Sequence, residues 1–319
     1  MKPELGRALP EAMGAIHFIG VGGSGMSGIA RVFAERGHRV TGSDRFDSEV
    51  VESLRHSGIQ VFLGHDAAHL AGVDTVVFSS AVRETNPEYL EALDRGLTII
   101  HRSEALRWLL QGKTPLAVAG SHGKTTTTAM LATALEAVGI DAGCVNGGVI
   151  SQWGVSSRAG SDDLFVIEAD ESDRSFVGYE PAHVLITNIA PDHLDFYGTL
   201  DAIFEAFEAF ARTATDSIVL CADDSGTKEL SSRLSGAARI VTYGVSPQAD
   251  VIMSDVVAGP AARFLVTHRG ESVPVELSVA GRLAALNATG VIALLIQLGL
   301  SLGDAAAAVA GFQGADRRF

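Results

Sequence analysis

The sequence has few cysteines, few basic residues and no long apolar run. Two cysteines, Cys144 and Cys221, occur in 319 residues and form no CxxC pair, which argues against a disulfide scaffold and a zinc ribbon. This cysteine usage is typical of a reducing compartment. The N-terminal segment MKPELGRALPEAM also lacks the apolar core of a signal peptide, so the sequence predicts a cytoplasmic protein.

The shortage of basic residues excludes a further class of protein. Lys and Arg number 24 against 38 Asp and Glu, giving a net charge of −14 without any basic block, so we expect no nucleic acid as a partner. The most apolar helical stretch, residues 291–302, is interrupted by Gln297 and Gly299 and is shorter than the roughly 20 residues that a membrane span requires. We therefore expect no membrane association. The oligomeric state cannot be inferred from the sequence.

What the sequence does have is a regular alternation of strand-like and helical segments. With 47% apolar and 19% charged residues the chain is expected to fold, and its length suggests two domains at roughly 150 residues each. Strand-then-helix alternation predicts an α/β fold with parallel sheets and helices on both faces. The predicted strands lie at 16–19, 39–41, 75–78, 98–100, 116–119, 164–167, 184–187, 218–221 and 240–243.

The pattern restarts near residue 112. This predicts a Rossmann-like parallel-sheet domain at 1–112 and a central P-loop ATPase-like α/β domain at 113–319. After Asp250 the pattern changes to segments 251–257, 263–268 and 272–277, which Gly and Pro turns separate. These segments predict a small antiparallel β annex, followed by two alanine-rich helices at about 283–298 and 302–310.

A glycine-rich loop follows the first predicted strand. It fits G-x-G-x-x-G and opens a predicted helix at 26–36. Glycines let the backbone approach a diphosphate, and the helix N-terminus supplies N–H donors. An acid 19 residues beyond the last glycine can accept hydrogen bonds from a ribose. These residues alone fit a nicotinamide dinucleotide and a UDP-sugar equally well. The candidate binding residues are Gly20, Gly22, Gly23, Ser24, Gly25 and Asp44.

A second glycine-rich loop, GSHGKTTTT, follows the predicted strand 116–119 and has the chemistry of a P-loop. Its backbone N–H groups would cradle phosphates, Lys124 would neutralise the β and γ oxygens, and Thr125 would offer a hydroxyl to Mg²⁺. Two residues separate its glycines instead of the four of a Walker A loop, which narrows the families that share it. The candidate ATP-binding residues are Gly120, Ser121, His122, Gly123, Lys124, Thr125 and Thr126.

An acid and a histidine follow two later strands. Glu168 ends the strand 164–167 and His193 lies in the segment after 184–187. Ligands bind beyond the carboxyl ends of parallel strands, so both side chains are expected to face the crevice of the second loop. There they could hold one or two Mg²⁺ ions that bridge ATP phosphates. Because imidazole suits Mg²⁺ less well than oxygen does, His193 fits a second metal site or a hydrogen bond to phosphate. The remaining histidines, including His56, His69 and His268, are interpreted as surface residues.

Both loops together resemble the Mur ligase family. The resemblance rests on the fragments HFIGVGGSGMSGIA, SSAVRETNPE, GSHGKTTTTAML, EADESD and DHLDFYG, which span nearly the whole chain. It is strongest to the members that join L-alanine to UDP-N-acetylmuramate. The resemblance assigns the first loop to UDP rather than to a dinucleotide, adds Ser79 and Ser80 as contacts to the UDP phosphates, and places Asn188 near an acyl phosphate.

The resemblance implies an ATP-dependent amide ligase of peptidoglycan precursor synthesis. The carboxylate of UDP-N-acetylmuramate would attack the γ-phosphoryl group of ATP, and the amine of L-alanine would then attack the acyl phosphate. ATP and Mg²⁺ are the implied cofactors, and both substrates are the implied partners. By matching positions, Lys124, Glu168 and His193 are the implied catalytic residues, and Thr125, Glu168 and His193 are the implied metal ligands.

Two departures from the family pattern qualify this expectation. Where the family usually has Gly-Arg-His-Asn before a later Asn, this sequence has Leu283 and Ala284, although Asn287 is retained as a candidate ATP-binding residue. The segment 312–319 is similar to the linker that ends the family's central domain, so we expect a C-terminal domain to be missing and turnover to be incomplete. The alternatives are a non-catalytic nucleotide-binding module, a ligase that attaches recycled peptide to the same UDP-sugar and, least favoured, an NAD-dependent oxidoreductase.

Overall fold

The fold contains two sheets, one on each side of residue 112. A computed structural model describes residues 7–257 and 259–316. The first sheet has five parallel strands in the order β3-β2-β1-β4-β5. Its strands are β1 Ile16–Ile19, β2 Val40–Asp44, β3 Gln60–Leu63, β4 Thr75–Phe78 and β5 Thr98–His101, and its helices are α1 Met26–Glu35, α2 Glu49–His56, α3 Pro87–Asp94 and α4 Arg102–Leu110.

The second sheet has eleven strands in the order β15-β14-β13-β12-β11-β10-β6-β9-β7-β16, with β8 paired to β7. Its strands are β6 Thr114–Ala119, β7 Gly143–Ile150, β8 Val155–Arg158, β9 Leu164–Glu168, β10 His183–Ile186, β11 Ser217–Cys221, β12 Arg239–Gly244, β13 Val251–Val257, β14 Arg263–His268, β15 Glu271–Glu276 and β16 Ala315–Asp316. The helices are α5 Lys124–Ala137, α6 Leu194–Tyr197, α7 Leu200–Ala211, α8 Ser225–Arg233, α9 Arg282–Gln297 and α10 Leu302–Ala310.

The α/β class and the antiparallel segment after Asp250 are confirmed. Strands β13, β14 and β15 pair antiparallel, as predicted, but they are continuous with the main sheet, because β13 pairs parallel with β12 through Tyr243 and Val251. The annex is therefore an extension of one sheet edge. The boundary at residue 112 stays a prediction, and parts of both predicted domains, residues 1–6, 258 and 317–319, lie outside the described residues.

Helix α1 joins the two sheets. Gly28 of α1 packs against Ser157 of β8, and a Cβ at Gly28 would lie 2.2 Å from Ser157 Oγ. The Glu35 carboxylate at the end of α1 accepts a hydrogen bond of 2.7 Å from the Ala159 backbone N–H. A single cluster of buried apolar side chains contains residues of both sheets, among them Phe18 of β1 and Val145 of β7. The site between the sheets is therefore held by shared packing.

The histidines beside the first sheet do not all lie on the surface. Glu88 is fully buried in α3, and three imidazoles surround it: His65 Nδ1 at 2.9 Å, His69 Nδ1 at 2.7 Å and His17 Nε2 at 3.5 Å. Ser43 Oγ donates to the same carboxylate at 2.6 Å. The interpretation of His69 as a surface residue was wrong, because a buried carboxylate requires donors and this ring supplies one. None of the helices in the described ranges has the length and apolarity to cross a membrane.

Candidate functional site

The second glycine-rich loop connects β6 to α5 in a conformation that only glycines reach without strain. Gly120 has φ 132° and Gly123 has φ 84°, both in the left-handed half of backbone space. A Cβ at Gly120 would lie 2.2 Å from Thr187 Oγ1 of the neighbouring segment. Gly123 is the N-cap of α5 and has no side chain to bind the first N–H groups of the helix. These N–H groups remain available to an anion.

The segment after β10 holds this loop in shape. Asn188 Nδ2 donates to the His122 carbonyl at 2.9 Å, and Asn188 Oδ1 accepts from the His122 N–H at 3.0 Å. The Ser121 N–H donates to the Asn188 carbonyl at 3.0 Å. The structure thus gives Asn188 a place as a clamp on the loop, through contacts for which the sequence provided no evidence.

Lys124, the first residue of α5, is buried against a carboxylate. Its Nζ lies 2.9 Å and 2.8 Å from the two carboxylate oxygens of Glu171 and donates to the Gly120 carbonyl at 2.7 Å. Burial raises the pKa of Glu171, and the neighbouring ammonium group opposes that rise. Tyr197 of α6 donates its hydroxyl to the Glu171 carbonyl at 2.5 Å. The lysine of the loop is therefore ordered, and its charge is neutralised inside the protein.

Thr125 and Glu168 lie next to Lys124 and face each other. Thr125 Oγ1 donates to Glu168 Oε1 at 3.0 Å, while Glu168 Oε2 accepts the Gly147 N–H at 2.7 Å. β9 pairs with β6 so that Glu168 stands opposite Val118, at the edge where the loop begins. Burial raises the pKa of the Glu168 carboxyl. A Cβ at position 147 would approach Glu168 Oε2 to 2.7 Å, so this close contact requires glycine.

One cavity of about 590 Å³, here called the central cavity, brings residues of both loops together. It lies between the two sheets. From the first loop Ser24 and Gly25 line it, and from the second loop Ser121, His122, Lys124 and Thr125, together with Glu168 and His193. Thr126 follows Thr125 in the first turn of α5. Most of the candidate ATP-binding and metal-binding residues thus share one cavity with the end of the first loop.

The first glycine-rich loop is held by Asp44. The Gly22 N–H donates to Asp44 Oδ2 at 2.9 Å, and the Phe46 N–H donates to Asp44 Oδ1 at 3.2 Å. Asp44 therefore shapes the loop through Oδ2, while Oδ1 holds the turn after β2. Gly20 and Gly25 have φ of 74° and 81°, and Gly25 is the N-cap of α1, again without a side chain.

A second cavity of about 500 Å³, here called the first-loop cavity, adjoins the first loop. Gly23 and Ser24 line one side, and Ser79 and Ser80, which follow β4, line another. In the strand order β3-β2-β1-β4-β5, strands are added on one side of β1 up to β3 and then on its other side from β4. The loops after β1 and β4 therefore flank the crevice where such parallel sheets bind ligands. The candidate UDP-binding residues Gly23, Ser24, Ser79 and Ser80 therefore meet around one cavity.

The donor set of the central cavity fits Mg²⁺ better than a softer metal. Thr125 and Glu168 offer a hydroxyl and a carboxylate, the oxygen donors that Mg²⁺ prefers. In residues 7–257 and 259–316, no three His, Cys, Asp or Glu side chains converge closely enough to hold a metal by themselves. His193, in left-handed conformation with φ 54°, lines both cavities.

The N-terminus of α9 lies above the second loop. Asn287 is close to Gly123, since a Cβ at Gly123 would lie 3.2 Å from Asn287 Nδ2. Leu283 stands one helical turn earlier, on the same side of α9, and 75% of its surface is exposed. Leu283 therefore leaves an apolar, solvent-exposed side chain on the helix face that carries Asn287.

The candidate site also contains Arg102, which the sequence analysis missed. Arg102 directly follows β5 and lines both cavities. A basic side chain that follows a parallel strand lies at the end of the sheet where ligands bind. The position of Arg102 directly after a predicted strand could therefore have indicated its place in the site. Glu171 was equally missed, because EADESD offers several acids and the sequence does not show which of them contacts Lys124.

Two uncapped helix N-termini open on adjoining cavities, and a lysine, a threonine and a carboxylate lie at one of them. This arrangement is typical of α/β proteins with phosphate-binding loops. The model of the Mur ligase family catalytic domain matches residues 15–114, and that of the Mur ligase middle domain matches residues 118–295. The chain belongs to the Mur ligase family.

The similar proteins include ligases of two kinds. A UDP-N-acetylmuramate--L-alanine ligase of Clavibacter sepedonicus is 50% identical over 99% of this chain, and the chain spans 66% of that relative's length. The solved UDP-N-acetylmuramate-alanine ligase of Thermotoga maritima has a TM-score of 0.86 and 33% identity, over 96% of this chain and 70% of that one. A UDP-N-acetylmuramate:L-alanyl-gamma-D-glutamyl-meso-diaminopimelate ligase from Neisseria meningitides also has a TM-score of 0.86, at 30% identity, over 96% of this chain and 100% of that one.

Proposed function

We propose that this chain forms the nucleotide-binding part of an ATP-dependent ligase that joins L-alanine to the carboxylate of UDP-N-acetylmuramate. One observation carries the proposal: Lys124, Thr125 and Glu168 line the same cavity as Ser24 and Gly25 of the first loop. A sugar nucleotide on one loop and a triphosphate on the other would meet in that cavity. The relative with the printed activity is 50% identical over 99% of the chain. Since it consumes ATP and a UDP-sugar, the proposed reaction belongs in the cytoplasm.

The proposed roles follow from position. The loop 20–25, with Ser79 and Ser80, binds the diphosphate of UDP, and the loop 120–123 binds the phosphates of ATP. Thr125 and Glu168 hold Mg²⁺, which supplies charge neutralisation at the phosphates when it is bound. Lys124 moves its ammonium group from Glu171 towards the γ-phosphate, and His193 faces both ligands. We also propose the division into domains at residue 112.

The proposed reaction has two balanced steps. A carboxylate oxygen of the sugar nucleotide attacks the γ-phosphorus of ATP, and the bond from that phosphorus to the β,γ-bridging oxygen breaks. ADP leaves, and the sugar nucleotide now carries an acyl phosphate. The amine of L-alanine then attacks the acyl carbon, a C–N bond forms, inorganic phosphate leaves and the amine loses a proton. The residues of this chain mainly position the reacting groups and exclude water, because phosphoryl transfer requires little covalent help.

A second candidate is a ligase that attaches a peptide to the same sugar nucleotide. It is favoured by the Neisseria meningitides structure, whose TM-score equals that of the Thermotoga maritima enzyme. The two candidates share both nucleotides and differ only in the incoming amine. Phosphate release that depends on L-alanine supports the first, and release that depends on L-alanyl-γ-D-glutamyl-meso-diaminopimelate supports the second.

Calorimetric titration with UDP-N-acetylmuramate, Mg-ATP and NADH tests the proposal before any turnover is required. We expect both of the first two ligands to bind and NADH not to bind. Lys124→Ala should remove ATP binding and leave binding of the sugar nucleotide intact. Parallel loss of both ligands in a variant that circular dichroism shows to be folded would contradict the division of labour between the loops. Binding of both ligands without phosphate release in the presence of either amine would favour a non-catalytic module.

A further inference from the structure

A single arginine lies at the junction of the two cavities. Ser24, Arg102, Asp170 and His193 line both of them. Arg102 is the first residue of α4, and 15% of its side chain is exposed. Its Nη2 donates to Asp170 Oδ2 and to Asp173 Oδ2, each at 3.2 Å. The guanidinium of the first domain is thus held by two carboxylates of the second.

The other amino group of this guanidinium faces the first loop. Arg102 Nη1 lies 3.2 Å from the point where a Cβ would stand on Gly25, the N-cap of α1. Within the described ranges Nη1 makes no hydrogen bond. A donor without a partner is therefore directed at the helix N-terminus where an anion would bind. Arginine binds phosphate through two parallel N–H groups, so a phosphate at this point matches its geometry.

The charges around the cavities make Arg102 important for any anion. The Lys and Arg side chains that line either cavity are Arg102 and Lys124. Each is paired with acids of the segment 170–173: Lys124 with Glu171, and Arg102 with Asp170 and Asp173. An anion that enters the first-loop cavity therefore meets three carboxylates, those of Asp170, Asp173 and Asp195, and one guanidinium whose Nη2 is already bound. It can contact Nη1 as the guanidinium stands, but it gains the second N–H contact, from Nη2, only if the guanidinium leaves Asp170 and Asp173.

We propose that Arg102 binds the diphosphate of the sugar nucleotide and exchanges Asp170 and Asp173 for it, so that these two acids compete with the ligand. This inference rests on the proposed function, because it takes a UDP-sugar as the ligand of the first loop. In the absence of ligand, the two aspartates keep the guanidinium ordered and hold it beside Gly25. Because they must be displaced when the ligand binds, they also lower its affinity.

The test measures UDP and uridine binding by calorimetry in EDTA. Arg102→Gln should weaken UDP binding at least tenfold and leave uridine binding unchanged, since uridine has no phosphate. Asp173→Asn should have the opposite effect and tighten UDP binding several-fold. In the double variant this tightening should disappear, because the competitor acts through Arg102. Arg107→Gln, on the same helix and outside both cavities, is the matched control and should match the wild type.

The outcomes separate this inference from the proposed function. If the wild-type chain does not bind UDP, the proposed function of the first loop is wrong, and the inference fails with it. If the wild type binds UDP and Arg102→Gln binds it equally well, or loses ATP instead, only the inference is wrong. A purely structural Arg102 would make Asp173→Asn weaken UDP binding or leave it unchanged. Should Arg102→Gln not fold, Arg102→Lys replaces it in the test. Arg102→Lys should then weaken UDP binding, and Asp173→Asn should tighten it.

Discussion

At the scale of single residues, the strongest constraint in the site is the buried pair of Lys124 and Glu171. Both side chains are almost fully buried, at 8% and 3% exposure. A buried pair gains little net stability, but removal of one partner leaves an uncompensated charge. The pair therefore keeps the lysine ordered for the phosphate while making the loop sensitive to any change at either position.

This pair gives the first prediction. Lys124→Met should destabilise the chain by about 3–5 kcal/mol, because Glu171 is left buried and unpaired. Lys124→Met with Glu171→Gln should recover most of that stability and still fail to bind ATP. Urea unfolding measures the first effect and calorimetry the second. If the double variant were no more stable than the single one, the cost would come from lost packing rather than from the unpaired charge.

Glu168 gives a prediction with a defined dependence on pH. Burial raises the pKa of Glu168 in the folded chain, so its ionisation costs stability as the pH rises through that value. Glu168→Gln should unfold at a higher temperature than the wild type at pH 8, in EDTA, and this advantage should vanish below the unfolded pKa, near pH 4. A glutamine can still accept from the Gly147 N–H and donate to Thr125 Oγ1.

The same variant should lose the metal. Titration with Mn²⁺ in the presence of ATP should show no tight site in Glu168→Gln, because a neutral amide is a poorer ligand for a hard cation. Retained Mn²⁺ affinity would exclude Glu168 as a ligand. A lower unfolding temperature at pH 8 would show that the hydrogen bonds of the carboxylate outweigh its desolvation.

At the scale of elements, the polar cluster around Glu88 ties α3 to β1 through His17, to β2 through Ser43, and to the segment after β3 through His65 and His69. Burial alone would raise the pKa of Glu88, but the nearby His17 imidazole and the hydrogen bonds from Ser43 and His69 together lower it to about 2. A carboxyl with a lowered pKa stabilises the fold above its unfolded pKa, and this stabilisation is lost as the pH falls through the folded value.

This network predicts how acid affects the stability of the chain. The lowering of the Glu88 pKa from 4.5 to about 2 corresponds to about 3 kcal/mol at neutral pH. Glu88→Gln should be less stable than the wild type by about this amount at pH 7, and the difference should shrink between pH 4.5 and 2. Urea unfolding at several pH values measures it. A difference that stays constant with pH would contradict the role of the carboxylate charge.

The contact of α1 with β8 gives a prediction about packing. Gly28→Ala should destabilise the chain by about 1–3 kcal/mol, because its Cβ would meet Ser157 Oγ at 2.2 Å. Gly28→Ala with Ser157→Ala removes the hydroxyl and keeps the better helix former, so its stability should return to that of the wild type or exceed it. Urea unfolding of the two variants and of Ser157→Ala alone tests this. If the double variant recovered no stability, the new Cβ would clash with a side chain other than Ser157, for example Val145.

The sequence predicted those elements whose pattern is local. The loops that join β1 to α1 and β6 to α5 could be predicted because the apolar strand and the glycine spacing that indicate each of them lie within about a dozen consecutive residues. Strands β3, β7 and β8 were missed: QVFL is short, GCVNGGVI is rich in glycine, and VSSR is polar, so none forms an apolar run. Arg102 and Glu88 were missed because their partners are distant in sequence, at Asp173 and His17.

At the scale of the whole molecule, the two sheets share their packing and their polar contacts. Apolar side chains of both lie in one buried cluster, and α1, Glu35 and Arg102 connect them by further contacts. Two domains joined only by a linker would unfold independently. A shared core makes the loss of one sheet expose apolar surface of the other, so the described chain should unfold in one transition.

The two tryptophans allow this cooperativity to be measured. Trp108 lies in α4 beside the first sheet, and Trp153 lies after β7 in the second, with the Arg158 guanidinium 3.8 Å from its ring centre. The single-tryptophan variants Trp108→Phe and Trp153→Phe should give coincident melting curves by fluorescence. UDP should bind only the folded first loop. At a concentration of about 100 times its dissociation constant, it should therefore raise the free energy of unfolding reported by both tryptophans by about 2.7 kcal/mol. A shift confined to Trp108 would mean that the sheets unfold separately and that the cavity between them is not rigid.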